Sequence, residues 1–240
     1  MRTCARYDGY VGVLGTSRNA ARSSSQKREE DKLKKIGFLF DLDGTLVNSQ
    51  AAVMNSWITM ANEAGIPLEA LAGHHGVPAE QTLRKVLADR EEAEIQKWIR
   101  RVTDLEIADT DGVHAVPGAL ELLAELNDRD IPWTIVTSCT TDLAIARTRA
   151  GKIPLPANAV TFDQVTRGKP FPEPFILGAD RIGLQTDLCW AVEDAPGGVT
   201  SAKDAGCIVA GVLTTHTREE LPHADHHLDH LNELLGKAGL

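Results

Sequence analysis

The sequence predicts an α/β protein, a parallel sheet covered by helices on both faces and interrupted once by a helical insert. Three observations carry this. Short apolar runs of strand-forming residues alternate with stretches of helical periodicity from Ile36 onward. The run Ile36-Gly37-Phe38-Leu39-Phe40 stops at Asp41 and Asp43 and then at Gly44, the pattern of a buried strand that presents charge at its carboxyl end, where open α/β sheets bind ligands. Between about Ala52 and Ala115 the helical pattern runs on with no strand between its parts.

The elements follow in order. After the strand at Ile36, residues 53–64, 79–89 and 91–105 read as amphipathic helices. Residues 117–129 have Pro117 near the start and apolar residues at helical spacing, and lead into a strand-like run from Ile131 to Val136. Helix 141–150, a weak strand near Val160, helix 172–182, strand 188–193, helix 196–205 and strand 207–213 complete the alternation. The result is a Rossmann-like core of residues 36–52 and 116–240 with a helical insert at 53–115. A chain of 240 residues is long enough to bury such a core. Residues 1–35 are rich in Arg and Ser, end in the charged run from Lys27 to Lys35 and lack a sustained period. They are expected to be a disordered or extended segment outside the fold.

Asp41 and Asp43 form the most informative pair in the chain. An extended chain sends alternate side chains to one face, and Gly44 permits the bend that lets both carboxylates approach one ligand. Crowded acids require a cation, a shared proton or separate environments, and a hard cation such as Mg²⁺ suits carboxylate and water ligands. Alone, an Asp-x-Asp-Gly run equally suits a polar turn.

The segment from Asp41 to Val47, Asp-Leu-Asp-Gly-Thr-Leu-Val, resembles the first motif of the haloacid dehalogenase superfamily, in its phosphatase branch. Ile135-Val136-Thr137-Ser138, Gly168-Lys169-Pro170 and Val192-Glu193-Asp194-Ala195 are similar to the later motifs, in the family's order. The resemblance implies that Asp41 is the nucleophile of an aspartyl-phosphate intermediate and Asp43 the general acid and base. Thr137 and the backbone N–H of Ser138 would hold phosphoryl oxygens, while Lys169 would neutralise developing charge. Asp194 and Glu193 would complete a Mg²⁺ site with Asp41 and the backbone carbonyl of Asp43. The helical insert would be a cap that closes over the site.

The segment from His75 to Leu83 resembles the specificity loop of β-phosphoglucomutase, so a phosphosugar mutase is a rival reading. Ala79 stands where that mutase has its anchoring arginine, and Val53 where it has a hinge histidine; an alanine cannot pair with a second phosphate. Residues 36–230 are similar to small sugar-phosphate and polyol-phosphate phosphatases, which implies a Mg²⁺-dependent hydrolase of a small phosphorylated sugar or polyol. His75 and Gly76 are the candidate substrate contacts of the insert, with His74 beside them. A phospho-ligand binding module without turnover is a third reading, opposed by four intact motifs.

Composition narrows the partners. A formal net charge of −9 argues against nonspecific nucleic-acid binding, and no apolar run approaches a membrane span. Cys4, Cys139, Cys189 and Cys207 form no Cys-x-x-Cys pair, and the last two lie in apolar runs, as expected of reduced thiols in a cytoplasmic protein. A monomer is expected. His223, His226, His227 and His230 lie at spacings that suit one face of a terminal helix, solvated rather than zinc-bound.

Overall fold

The computed structural model describes residues 36–71 and 79–240, so the expectations for residues 1–35 and for His74, His75 and Gly76 lie outside the described residues. Five strands, β1 (Gly37–Phe40), β4 (Trp133–Ile135), β5 (Cys189–Glu193), β6 (Ile208–Val212) and β7 (His226–Leu228), form a sheet in the order β4-β1-β5-β6-β7. Every pairing in it is parallel. A parallel sheet needs crossovers, and helices α4 (Ala119–Asp128), α5 (Thr141–Gly151), α6 (Glu173–Arg181) and α7 (Pro196–Ala205) supply them up to β6, while residues 213–225 reach β7 without a helix. The core thus has the predicted α/β architecture.

β1 is the hub because the chain leaves it for β4 on one side and later returns to β5 on the other. Phe40 pairs with Ile135 and with Val192, so the residues just beyond these three points emerge side by side at the carboxyl edge. The pairing continues outward, the amide of Asp41 donating to the Val192 carbonyl at 2.9 Å and that of Val136 to the Phe40 carbonyl at 2.7 Å. Such a strand-order reversal is where open α/β sheets bind ligands. The expected strand near Val160 is a single bridge to Val136.

Apolar side chains on the two sheet faces form separate clusters, one built on Phe38, Phe40, Leu123 and Ile135 and the other on Leu39, Val136, Phe175 and Val209. Alternation along β1 divides its residues between these layers. Phe38 and Phe40 stack at 6.0 Å, and the ring of Trp133 meets Phe40 edge-on at 6.2 Å.

The insert contains α1 (Gln50–Ala64), α2 (Ala79–Val86) and α3 (Glu92–Ala108), with a third apolar cluster that includes Met60, Leu83, Trp98 and Val102. Each helix begins or ends within a few residues of its expected bounds, α1 starting earlier at Gln50. The two chain crossings between insert and core are joined by a feature the periodicity does not reveal, a short antiparallel pair of β2 (Val47–Asn48) and β3 (His114–Ala115). Two-residue strands are too short for a period to register.

The histidine-rich segment corrects an expectation, since His226 and His227 lie in β7 rather than on a helix. Pairing with β6 decides the conformation: the Asp225 amide donates to the Val209 carbonyl, and the Asp225 carboxylate accepts from the Val209 amide at 2.8 Å. The His226 ring stacks on Trp190 at 4.9 Å. The terminal helix, α8 (Leu234–Lys237), begins after this segment.

Phe40 lies at the centre of one apolar layer and is fully buried. Phe40→Ala is expected to lower folding stability by about 3–5 kcal/mol, read from the urea midpoint at unchanged slope.

Candidate functional site

The carboxyl ends of β1, β4 and β5, with the loop before α6, bring the expected core residues to one place. Asp41, Thr137, Ser138, Lys169, Glu193 and Asp194 all line one cavity of about 490 Å³, together with Asp43. Asp41, Thr137, Lys169, Glu193 and Asp194 are buried, while Asp43 is half-buried.

Lys169 is the centre of the charge arrangement. Its Nζ donates to Asp41 Oδ1 at 2.6 Å, to the Val136 carbonyl at 2.8 Å and to Glu193 Oε1. Burial opposes the ammonium charge, but Asp41 and Glu193 together outweigh it and raise the Lys169 pKa, so the lysine is held protonated. One ammonium nevertheless faces the carboxylates of Asp41, Glu193 and Asp194, which offer oxygens within 4.8 Å of one another.

The surplus negative charge appears in the acids. Burial pushes Glu193 up to about 8, against the pull of Lys169, with the neighbouring Asp41 and Asp194 adding to the rise. Burial and Asp41 push Asp194 up to about 7, although hydrogen bonds from Thr215 and Thr45 oppose this. Asp41 is raised as well, first by burial. A hard divalent cation would relieve this surplus, and an oxygen-only donor set is the kind it prefers. The residues present therefore fit a divalent metal.

The surroundings are shaped to hold Asp194 and Glu193. Thr45 Oγ1 donates to Asp194 Oδ1 at 3.1 Å, Thr215 donates to Oδ2, and the His216 ring lies 2.9 Å from the Asp194 carbonyl. Gly44 has φ +87°, and a Cβ there would stand 2.1 Å from Asp194 Oδ2. Gly198 leaves room for Glu193 in the same way, its added Cβ lying 1.9 Å from that carboxyl group. Both glycines are close-approach positions.

Asp43 is set apart from this cluster. Its carboxylate meets Cys139 Sγ at 2.8 Å and Arg147 Nε at 3.2 Å. Burial and the nearby Asp43 hold the Cys139 thiol well above its ordinary pKa, so it stays neutral and donates. The side-chain oxygen of Thr137 accepts from the Cys139 amide at 3.1 Å, which leaves its own O–H available to the cavity. Helix α5 begins at Thr141, beyond Thr137 and Ser138.

The far wall belongs to the insert. Val53, Met54, Trp57 and Ile58 from α1 and Ile99, Thr103 and Glu106 from α3 face the cavity, as does Ala79 at the start of α2. Among the described residues lining it, the cations are Arg147 and Lys169, both beside the acids.

Thr45, Cys139, Arg147, Thr215, His216 and Glu106 are site neighbours that sequence reading misses. Two of them had a visible signal. Arg147 falls on the buried stripe Leu143, Ala144, Arg147, Thr148 of α5, and Glu106 continues the stripe Ile95, Trp98, Val102 of α3. A charged residue on an apolar stripe demands a buried partner.

The sequence model of haloacid dehalogenase-like hydrolases matches residues 38–212. Hexitol phosphatase A of Escherichia coli (strain K12) is 43% identical over 199 residues, covering 82% of this chain and 92% of that protein. Validoxylamine A 7'-phosphate phosphatase of Streptomyces hygroscopicus subsp. limoneus is 33% identical over 82% of this chain and 94% of its own. A hydrolase of Pseudomonas syringae has a crystal structure that superposes with a TM-score of 0.78 at 26% identity, over 85% of this chain and 98% of that one. The chain belongs to the haloacid dehalogenase-like hydrolase family. It is an enzyme of the phosphoric monoester hydrolase class. No described helix is long and apolar enough to cross a membrane.

The raised acids set a pH dependence. Glu193 and Asp194 have folded values of about 8 and 7, above their ordinary 4.5 and 3.8, so folding favours their protonated forms. That contribution is complete below about pH 4 and is lost as pH rises through about 7 to 8. The unfolding midpoint of the metal-free protein should therefore fall between about pH 5 and pH 8. Adding Mg²⁺, which selects the ionised acids, should raise the midpoint more at about pH 8 than at pH 5.5. Differential scanning fluorimetry at the two pH values, with and without the metal, checks both signs.

Gly44→Ala should abolish that Mg²⁺ response, because the added methyl group would displace the Asp194 carboxylate. An unchanged metal-dependent rise in the same fluorimetry assay would contradict the assignment of Asp194.

Proposed function

We propose that the protein is a Mg²⁺-dependent phosphatase that hydrolyses a small sugar or polyol phosphate through an aspartyl-phosphate intermediate. The observation that carries this reading is the gathering of Asp41, Lys169, Glu193 and Asp194 on one side of a cavity that Asp43 and Thr137 also line. Asp41, Asp194, Glu193 and the Asp43 carbonyl would hold the metal, and bound there it supplies charge neutralisation for the phosphoryl group and the acids.

The chain's own groups perform the proton and bond changes. Asp41 attacks phosphorus as the bond to the alcohol oxygen breaks, and Asp43 gives its proton to that oxygen. Asp43, now ionised, takes a proton from water whose oxygen attacks phosphorus, and the bond to Asp41 breaks. Inorganic phosphate leaves and both aspartates return to their starting states. Lys169 donates a hydrogen bond to Asp41 and faces the charge that develops on the transferring group, while Thr137 O–H and the Ser138 amide orient the phosphoryl oxygens. Two separate environments suit two roles, since Asp41 sits against Lys169 and Asp43 against Cys139 and Arg147.

The helical insert, residues 53–115, is a cap in this reading. Its apolar face, including Trp57, Ile58 and Ile99, excludes water from the reaction. A cavity of about 490 Å³ suits a single small phosphate ester. The two related proteins named above are by name a hexitol phosphatase and a validoxylamine A 7'-phosphate phosphatase, and the first supports this substrate class. Hydrolysis is favoured over a mutase because Ala79 and Val53 line the cavity without offering a cation to a second phosphate.

Asp41→Asn is expected to lower turnover by at least about 10⁴-fold while leaving the circular dichroism spectrum unchanged. Phosphate release from a panel of hexitol, glycerol and hexose phosphates with Mg²⁺ tests the reading. Isomerised sugar phosphate in place of free phosphate would establish the mutase, and no reaction across the panel would favour a binding module.

A further inference from the structure

Arg147 is fully buried yet poorly bonded. Among the described residues, none of its three guanidinium nitrogens has a hydrogen-bond partner, nor does the buried Oδ1 of Asp43. Nε nevertheless lies 3.2 Å from that Oδ1, and one terminal nitrogen lies 3.5 Å from Glu106 Oε2. The distances are those of ion pairs, but the N–H groups are not aligned on the oxygens. Glu106 is itself fixed from the other side, its Oε1 accepting from Trp57 Nε1 at 2.9 Å.

These contacts make a continuous chain from the wall of the cavity to the acid. Trp57 is on α1 and Glu106 on α3, both in the helical insert, whereas Arg147 is on α5 and Asp43 follows β1 in the core. A buried cation between two carboxylates from different layers is held by both. Its donors are close to both carboxylates without being aligned on them, and catalytic hydrogen bonds of this kind commonly tighten in the substrate complex. No step proposed above uses Arg147 or Glu106.

We propose that Arg147 is a positioning residue for Asp43, and that Glu106 and Trp57 seat it from the helical insert so that the acid is aligned when the insert is seated on the core. This rests on the reading of Asp43 as general acid and base. Arg147 borders the cavity but exposes none of its side chain, its guanidinium facing Asp43 and Glu106, so it acts on the substrate through Asp43.

The leaving group discriminates. Expulsion of a hexitol from sorbitol 6-phosphate requires a proton from Asp43, whereas p-nitrophenolate leaves from p-nitrophenyl phosphate without one. With Mg²⁺-loaded enzyme in excess over substrate, a single turnover reads the first chemical step alone. Arg147→Met should slow sorbitol release by about 10- to 100-fold and p-nitrophenolate release by less than about 3-fold. Arg147→Lys should recover part of the loss. Glu106→Gln, which retains an acceptor for Trp57 but loses the charge, guards against a failure to fold and should show a smaller loss of the same kind.

Equal losses on both substrates, or a rise in KM at unchanged single-turnover rate, would overturn the proposal. So would an unaffected Glu106→Gln, as far as the insert's part is concerned. Asp43→Asn separates the two levels: if it too slows both substrates equally, the acid assignment itself fails. If Asp43→Asn discriminates between them and Arg147→Met does not, only the role of Arg147 is lost.

Discussion

An unequal count of charges governs this structure. One lysine ammonium is buried among carboxylates from two adjacent strands, Asp41 beyond β1 and Glu193 and Asp194 at and beyond β5. Burial makes each unneutralised carboxylate costly, so protons or a cation must make up the difference. The rest of the site follows from that constraint. Thr45 and Thr215 hydrogen-bond the side chain of Asp194, Gly44 and Gly198 clear the volume it and Glu193 occupy, and Lys169 is pinned by a backbone carbonyl as well as by acids.

The fold explains how so much charge reaches one place. In a parallel sheet every strand ends at the same edge, and β1 stands between β4 and β5, so three strand ends discharge into one crevice. The interior behind them is wholly apolar along β1, where Phe38, Leu39 and Phe40 are fully buried. A rigid layer of this kind holds side chains at its edge more tightly than a loop would.

The two aspartates of the first motif, though separated by one residue, occupy different electrostatic worlds. Asp41 faces a protonated lysine and further acids; Asp43 faces a neutral thiol and an arginine that is tied to the helical insert. Burial pushes Glu106 up to about 7, against the opposing pull of Arg147, so the insert's contribution to this link is itself sensitive to its surroundings. A nucleophile and a proton donor made from the same residue type need this kind of separation.

Local pattern by itself determined the alternation of strands and helices and the helical character of residues 53–64, 79–89 and 91–105, while the acids, threonine and lysine at the sheet edge were picked out by the resemblance of four short motifs to a known family. These were legible because a strand's apolar run and a helix's period are short-range, and because Asp41, Thr137, Lys169 and Asp194 lie in compact motifs at strand ends or in loops. Tertiary structure alone decided the rest. His226 and His227 entered a strand, against their helical spacing, because an exposed edge of β6 had hydrogen bonds to offer. Arg147, Glu106 and Trp57 were linked to Asp43 although they are far apart in the chain, because packing α3 against α5 buried two charged side chains whose partners, Asp43 and Trp57 as well as each other, come from separate elements.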